Sequence, residues 1–176
     1  MQVKASLCDA GAVSDVIDIE AARPDDAAAL LVVQRSAYVA EAQRYGDPFI
    51  PPLVETLDEV AADIAAGGVI VARVGARLVG SVRWHLDDGV CHVARLSVVG
   101  DLQGRRIGSR LLSAVEEAAG ADAVSYTLFT GADSPDNIRL YERHGYRGTR
   151  VERLNDRVSF LHMSKPAADV TPAGSA

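Results

Sequence analysis

Ala94-Arg-Leu-Ser-Val-Val-Gly-Asp-Leu-Gln103-Gly-Arg-Arg-Ile-Gly-Ser109 runs from an apolar strand through a glycine-containing turn directly into a helix. The first N–H groups of a helix have no intrahelical acceptor, and the helix dipole adds partial positive charge at that end. Gly104 and Gly108 let a ligand approach the main chain, and Arg105 and Arg106 bring full charges, so the stretch suits an anion such as a phosphate. The competing reading is a tight turn followed by a solvated helix start, and the loop alone does not choose between them. No Gly-Lys-Ser/Thr follows and the G-x-G-x-x-G spacing is absent, so a nucleoside triphosphate loop and a dinucleotide fold both lose ground.

The elements on either side define an α/β chain. After the loop, Ile107, Leu111, Leu112, Val115 and Ala118-Ala119 recur at helical spacing, Gly120 closes the helix, and Ala123 to Thr130 reads as a strand. A strand, helix and strand in this order predict a right-handed crossover between parallel strands. Before the loop, Val69 to Val98 breaks into three short Val-rich runs at Gly75-Ala76 and Asp87-Asp88-Gly89, the pattern of antiparallel hairpins. Further upstream, Val16 to Ile19 reads as a strand and Pro24-Asp25-Asp26 opens a helix that runs past Tyr38. Thr56-Leu-Asp-Glu59 is a capping box for a second helix, ended by Gly67-Gly68. Downstream, Ser134-Pro135 starts a short helix ended by Gly145, and Tyr146 to Leu154 with Arg157 to Met163 close as a hairpin around Asn155-Asp156. No internal repeat is present.

The 176 residues fit one domain, read as 14–165 between a tail at 1–13 and another at 166–176. The formal charge is −6, and the field it creates disfavours nucleic acid and anionic membrane as partners. That charge is uneven: Met1 to Gly80 holds 6 basic and 12 acidic residues, whereas Ser81 to Arg157 holds 11 of each. Cys8 and Cys91 form neither a disulfide framework nor a metal-spaced cluster. The N-terminus lacks an apolar leader pattern and no run is long enough to span a membrane, so the expected location is cytoplasmic. The histidines at 85, 92, 144 and 162 are not spaced as a metal set, and no metal is expected. Cys91 and His92, adjacent on a strand, point to opposite faces, and Cys91 reads as an inert, partly buried thiol.

Gln103-Gly-Arg-Arg106-Ile-Gly108 resembles the acetyl-CoA loop of the GNAT superfamily of N-acetyltransferases, Q/R-x-x-G-x-G/A, with Arg106 where the first glycine usually stands. Ser134-Pro-Asp-Asn137-Ile-Arg-Leu-Tyr141-Glu-Arg-His-Gly145-Tyr146 is similar to that family's second signature, a short helix carrying a tyrosine. The resemblance covers roughly Val16 to Lys165 and implies an α/β GNAT (acyl-CoA N-acyltransferase) fold, a single mixed sheet with helices on both faces. It implies acetyl-CoA as co-substrate and no metal, with direct transfer of the acetyl group to a primary amine. Under it, Leu96, Ser97 and Val98 lie on a strand splayed from its parallel neighbour and pair with the pantetheine arm. Gln103, Gly104, Arg105, Arg106, Ile107, Gly108 and Ser109 hold the pyrophosphate side, with Asn137 also placed at the cofactor. Tyr141 is the implied catalytic acid for the leaving thiolate, a phenol of reference pKa near ~10 facing a thiol near ~8.5.

The amine side is less defined. Glu41, Glu55, His85 and Asp87 are candidate bases beside a water chain, and Tyr38, Tyr45, Phe49 and Trp84 either line the acceptor pocket or fill core and rim. The acidic first 80 residues favour a cationic small molecule as acceptor. The alternatives are a protein or peptide amine acetyltransferase on the same fold, or a non-catalytic acyl-CoA-binding sensor module. The closing hairpin offers strand edges for a homodimer.

Overall fold

The computed structural model describes residues 16–167; Cys8, the expected tail at 1–13 and all but the first two residues of 166–176 lie outside them. The first strand, β1 (Ile17–Ala21), leads through a 3-10 turn at Pro24–Asp26 into α1 (Ala27–Tyr45). A short helix, α2 (Pro51–Val54), precedes α3 (Leu57–Ala65). Then come β2 (Val69–Val74), β3 (Arg77–Asp87), β4 (Val90–Val98), α4 (Ile107–Ala119), β5 (Ser125–Gly131), α5 (Pro135–Arg143), β6 (Arg147–Arg153) and β7 (Ser159–Pro166). The strands form one sheet of order β1-β2-β3-β4-β5-β7-β6 in which only β4 and β5 run parallel.

Local chemistry accounts for most of these boundaries. Thr56 accepts from the Glu59 N–H while the Glu59 carboxylate accepts from the Thr56 N–H, so the expected capping box starts α3. Gly46 and Gly145 take φ +64° and +84° at the ends of α1 and α5, where a side chain would be strained. In the β6–β7 turn, Asn155 Oδ1 accepts the N–H groups of Arg157 and Val158 at 2.8 and 2.9 Å, a side chain standing in for a backbone turn. The one helix absent from the sequence reading is α2. It is a single turn opened by two prolines, too short to carry a periodic pattern.

Successive residues of β3 show the two layers. A Cβ on Gly80 would meet Ile107 and Leu111 of α4 at 3.2 Å, so this glycine lets α4 sit close on one face. Arg83, three residues on and pointing the other way, bonds Gln34 of α1 and Asp63 of α3. The core fills both interfaces: Leu30 and Val60 beneath α1 and α3, and Leu111, Leu112 and Val115 beneath α4, all at 1% exposure or less. Each such side chain contributes about 1.5–3 kcal/mol by leaving water.

Within the α1 and α3 layer sits a buried ionic cluster. Arg83 binds both Glu55 oxygens at 2.7 Å, the Gln34 carbonyl at 2.8 Å and the Asp63 carboxylate, and Gln34 donates to Glu55 at 2.6 Å and to the Pro52 carbonyl at 2.9 Å. Burial opposes charge on Glu55, but Arg83 and Gln34 more than reverse that, and its carboxyl ends below the ordinary range. The cluster ties α1, α2, α3 and β3 together.

Candidate active site

A cleft of about 1070 Å³ opens between β4 and β5 and runs from the start of α4 to the inner face of α1. It exists because the parallel pair comes apart: β4 and β5 pair only at Val90, Cys91 and His92 with Ser125, Tyr126 and Thr127. From Val93 onward β4 has no partner on that side, and Phe129 to Gly131 of β5 become the opposite wall. The splay coincides with a bulge. Ser81 faces Ser97 and Arg83 faces Ala94, so Arg95 and Leu96 together oppose Val82, and Arg95 takes φ +53°.

One end of the cleft is built from main chain. Arg106 is the N-cap of α4, with φ 62° and ψ 15°, and its side chain does not cap the helix. The first-turn N–H groups of Ile107, Gly108 and Ser109 therefore face the cleft, reinforced by the helix dipole. Arg106 stands in a left-handed conformation, the one a glycine adopts without strain. Gly108 has an ordinary φ; its role is space, since a Cβ there would meet Leu140 at 3.3 Å. Leu96, Val98, Gln103, Gly104, Arg106, Ile107, Gly108, Ser109 and Asn137 all line the cleft. Ser97 and Arg105 do not. Ser97 is 1% exposed with its hydroxyl on the Arg95 carbonyl, and Arg105 lines a separate small hollow with Ile17 and Val74.

The other end is built from side chains. Tyr38, Glu41 and Tyr45, at helical spacing on α1, project into the cleft opposite Arg95 and Tyr141. Tyr45 donates to Glu41 at 3.1 Å, and burial, then the Glu41 charge, pushes its phenol up to about 12. Gly131 makes room for it, because a Cβ there would lie 2.0 Å from the Tyr45 hydroxyl. Burial also raises the Glu41 carboxyl, against the lowering effect of the Tyr45 hydrogen bond. Arg44 on α1 donates to the Asp133 carbonyl at 2.9 Å and to the Ser134 hydroxyl at 2.7 Å, fixing the start of α5.

Tyr141 lies between the two ends. It lines the cleft at 8% exposure, packs edge-on to Tyr146, and its hydroxyl bonds no described residue. Burial, then the neighbouring Tyr38 and Glu41, drives its phenol far up, so the O–H keeps its proton. A phenol already binds its proton more tightly than a thiol, ~10 against ~8.5, and burial raises it further, so Tyr141 stands in the cleft as a protonated hydrogen-bond donor.

The four candidate bases separate. Only Glu41 lines the cleft. Glu55 is held by Arg83 and Gln34, His85 stacks on His92 at 4.7 Å on the far portion of the hairpin, and Asp87 lies at its tip. Of the aromatic candidates Tyr38 and Tyr45 line the cleft, whereas Phe49 is 75% exposed and Trp84 packs against the core. Cys91 is buried, with burial raising its thiol to about 11, and it does not reach the cleft. Among the described residues no three His, Cys, Asp or Glu converge as a metal site. The sequence reading passed over Arg95, Arg44 and Gly131. Its available signals were an arginine as the one charge in the Val93 to Val99 run, and the stripe Gln34, Tyr38, Glu41, Tyr45 on one side of α1.

Comparison with known proteins places this geometry. The profile of the family described as "Acetyltransferase (GNAT) domain" matches residues 36–167. The chain is 29% identical over 115 residues to the uncharacterized N-acetyltransferase YjcF of Bacillus subtilis (strain 168), covering 65% of this chain and 79% of that one. Among solved structures it superposes on YncA of Salmonella typhimurium with its cofactor acetyl-CoA (TM-score 0.72, 15% identity, 92% of this chain and 99% of that one). It also superposes on the PaiA N-acetyltransferase of Thermoplasma acidophilum in complex with coenzyme A (TM-score 0.70, 16% identity, 86% and 99%).

Proposed function

The chain belongs to the GNAT family of N-acetyltransferases, and from that premise we propose that it transfers an acetyl group from acetyl-CoA directly to the primary amine of a small molecule. The observation that carries the proposal is the position of Tyr141: a donor without a partner among the described residues, where an uncapped helix start meets Glu41 across one cleft. The two neighbours that hold CoA or acetyl-CoA support the cofactor. The cleft fits it: the α4 N-terminus suits a pyrophosphate, and the unpaired β4 edge at Leu96 to Val98 suits the amide-bearing pantetheine arm.

Acetyl-CoA supplies a thioester acetyl group and a thiolate leaving group. Glu41 receives the acceptor as an ammonium and takes from it the proton that frees the nitrogen lone pair, an exchange eased by its raised carboxyl. The N–C bond forms as the C–S bond breaks. Of the two protons the ammonium loses, one leaves to solvent through Glu41 and the other ends on sulfur. Tyr141 stabilises the negative charge that develops there by hydrogen bonding while keeping its own proton.

A small acceptor is favoured by the covered amine end. The Pro52 carbonyl is bonded to buried Gln34, Arg35 donates to the Glu55 carbonyl at 2.9 Å, and a Cβ on Gly46 would lie 3.2 Å from the Arg157 guanidinium. α2 and the residue after it are thus pinned at one side of the cleft, and the α1–α2 loop is approached at Gly46 by the β6–β7 turn. At the cleft the cationic attraction of the acidic half is carried by Glu41 and Asp47, whereas Glu20 and Asp26 are paired with Arg73 and Glu55 and Asp63 with Arg83.

Calorimetry with acetyl-CoA, followed by thiol release over a broad panel of amines, tests the proposal. Binding with thiol release for small amines is expected. Release only with peptide amines would move the acceptor to proteins, and binding without release for any amine would make the chain a sensor module.

A further inference from the structure

The bulge in β4 does more than separate that strand from β5. By giving two residues where the ladder holds one, it turns Arg95 out of the sheet's alternation and into the cleft. A non-glycine residue at φ +53° inside a strand is strained by about 1–2 kcal/mol, and the surroundings hold it there. The side chain so placed has no hydrogen bond or ion pair to any described residue, and its Nε is buried without an acceptor. A guanidinium carries five donors in a flat fork, and leaving them unsatisfied in a partly buried site is costly.

The carboxylates nearby are already engaged. Glu55 and Asp63 are bound to Arg83, and Glu41 accepts from Tyr45. The cofactor's phosphates do not account for Arg95 either, since the α4 start lies at the opposite end of the Leu96 to Val98 segment, toward which β4 runs. Arg95 is therefore on the amine side of the point where acetyl transfer would occur, facing Tyr38 and Glu41 of α1 across the cleft. That half of the cleft presents two carboxylates, Glu41 and Asp47, the latter accepting from the Phe49 N–H, and one cation with unfilled donors, Arg95. A molecule matching both bears an ammonium and a carboxylate, and a flat carboxylate pairs with a guanidinium fork through two parallel hydrogen bonds. A phosphate dianion would need further cations, and the two terminal nitrogens of Arg83 are already bound to Glu55, Asp63 and Gln34.

Resting on the acetyl-transfer reading, we infer that Arg95 is the carboxylate clamp of the acceptor site, so that the acceptor is an amino acid or a comparable amine bearing a carboxylate, with its nitrogen toward Glu41. A site built to bond a substrate group strongly disfavours the analogue that lacks it.

Steady-state thiol release with acetyl-CoA, measured on the protein amino acids, each paired with its carboxamide and its decarboxylated amine, tests this. For the accepted members, kcat/KM of the acid should exceed that of both analogues by at least about tenfold. Arg95→Met should bring the ratio close to one by raising KM for the acid, with the acetyl-CoA affinity retained, and Arg95→Lys should restore some of it, having charge without the fork. Amides or decarboxylated amines that match or outpace the acids in the unaltered protein would overturn the inference, as would an Arg95→Met variant that slows acid and amide alike. Acetylation of diamines or peptide amines but of no amino acid would overturn it while leaving acetyl transfer standing. No thiol release with any amine would instead overturn acetyl transfer itself.

Discussion

The two ends of the cleft are made differently. At the cofactor end residues close in sequence, Gln103, Gly104 and Arg106 to Ser109, line the cleft around an uncapped helix start, and the side chains are secondary. At the acceptor end nearly every group that matters is a side chain, and these come from α1, from the β4 bulge and from α5, as far apart as Tyr38 and Tyr141. A site of backbone donors tolerates substitution as long as the loop keeps its dihedral angles, and Arg106 holds a left-handed φ that suits glycine. A site of side chains depends on scaffolding, and here that scaffolding is itself polar: Arg83 with Glu55 and Gln34, Arg44 with Ser134, Tyr45 against Gly131.

That contrast can be broken at either end, and the largest effect should come from the acceptor scaffold. Arg83→Met leaves Glu55 and Gln34 facing each other without the guanidinium, and should lower unfolding stability by about 3 kcal/mol in denaturant titrations. Next, Tyr141→Phe removes one donor from the reacting atoms and should lower kcat about 100-fold with the acetyl-CoA dissociation constant unchanged. An unchanged kcat would remove Tyr141 from the chemistry.

Smaller again is Glu41→Gln, expected to reduce kcat/KM for the amine about tenfold. Its sign with pH is informative. Glu41 works ionised, and because burial raises its carboxyl, activity should fall as pH drops through that raised value, above the ordinary carboxylate range. The variant should lose that acid limb, and a limb that persists in it would assign the titration elsewhere. The smallest effect belongs to the cofactor end: Arg106→Gly trades a strained angle for chain entropy, so stability should move by less than about 1 kcal/mol, and acetyl-CoA affinity should fall by no more than about tenfold. A loss of about a hundredfold would mean the guanidinium, and not the main chain, holds the phosphates.

The same contrast explains what could be read in the chain before its structure. The elements announce themselves locally through Pro24, the Thr56 capping box, Gly120 and the Asn155 turn, and the cofactor loop is legible because its residues are neighbours in sequence. The acceptor end is not, because a bulge is invisible to alternation until the register is known. Glu41 and Glu55 look alike as isolated acids in the sequence, and only packing gives one to Tyr45 in the cleft and the other to Arg83 beneath it. Charge counting is blind for the same reason: of the acids before Gly80, Glu20, Asp26, Glu55 and Asp63 are paired with Arg73 and Arg83, while Glu41 and Asp47 line the cleft.

The most direct test is a crystal structure of the protein with CoA bound. The division of the cleft requires the pyrophosphate against the N–H groups between Gly104 and Ser109, the pantetheine arm along Leu96 to Val98, and the sulfur within hydrogen-bonding reach of the Tyr141 hydroxyl, with Glu41 and Arg95 left clear of the cofactor. A pyrophosphate bound at Arg95, or a sulfur out of reach of Tyr141, would contradict it.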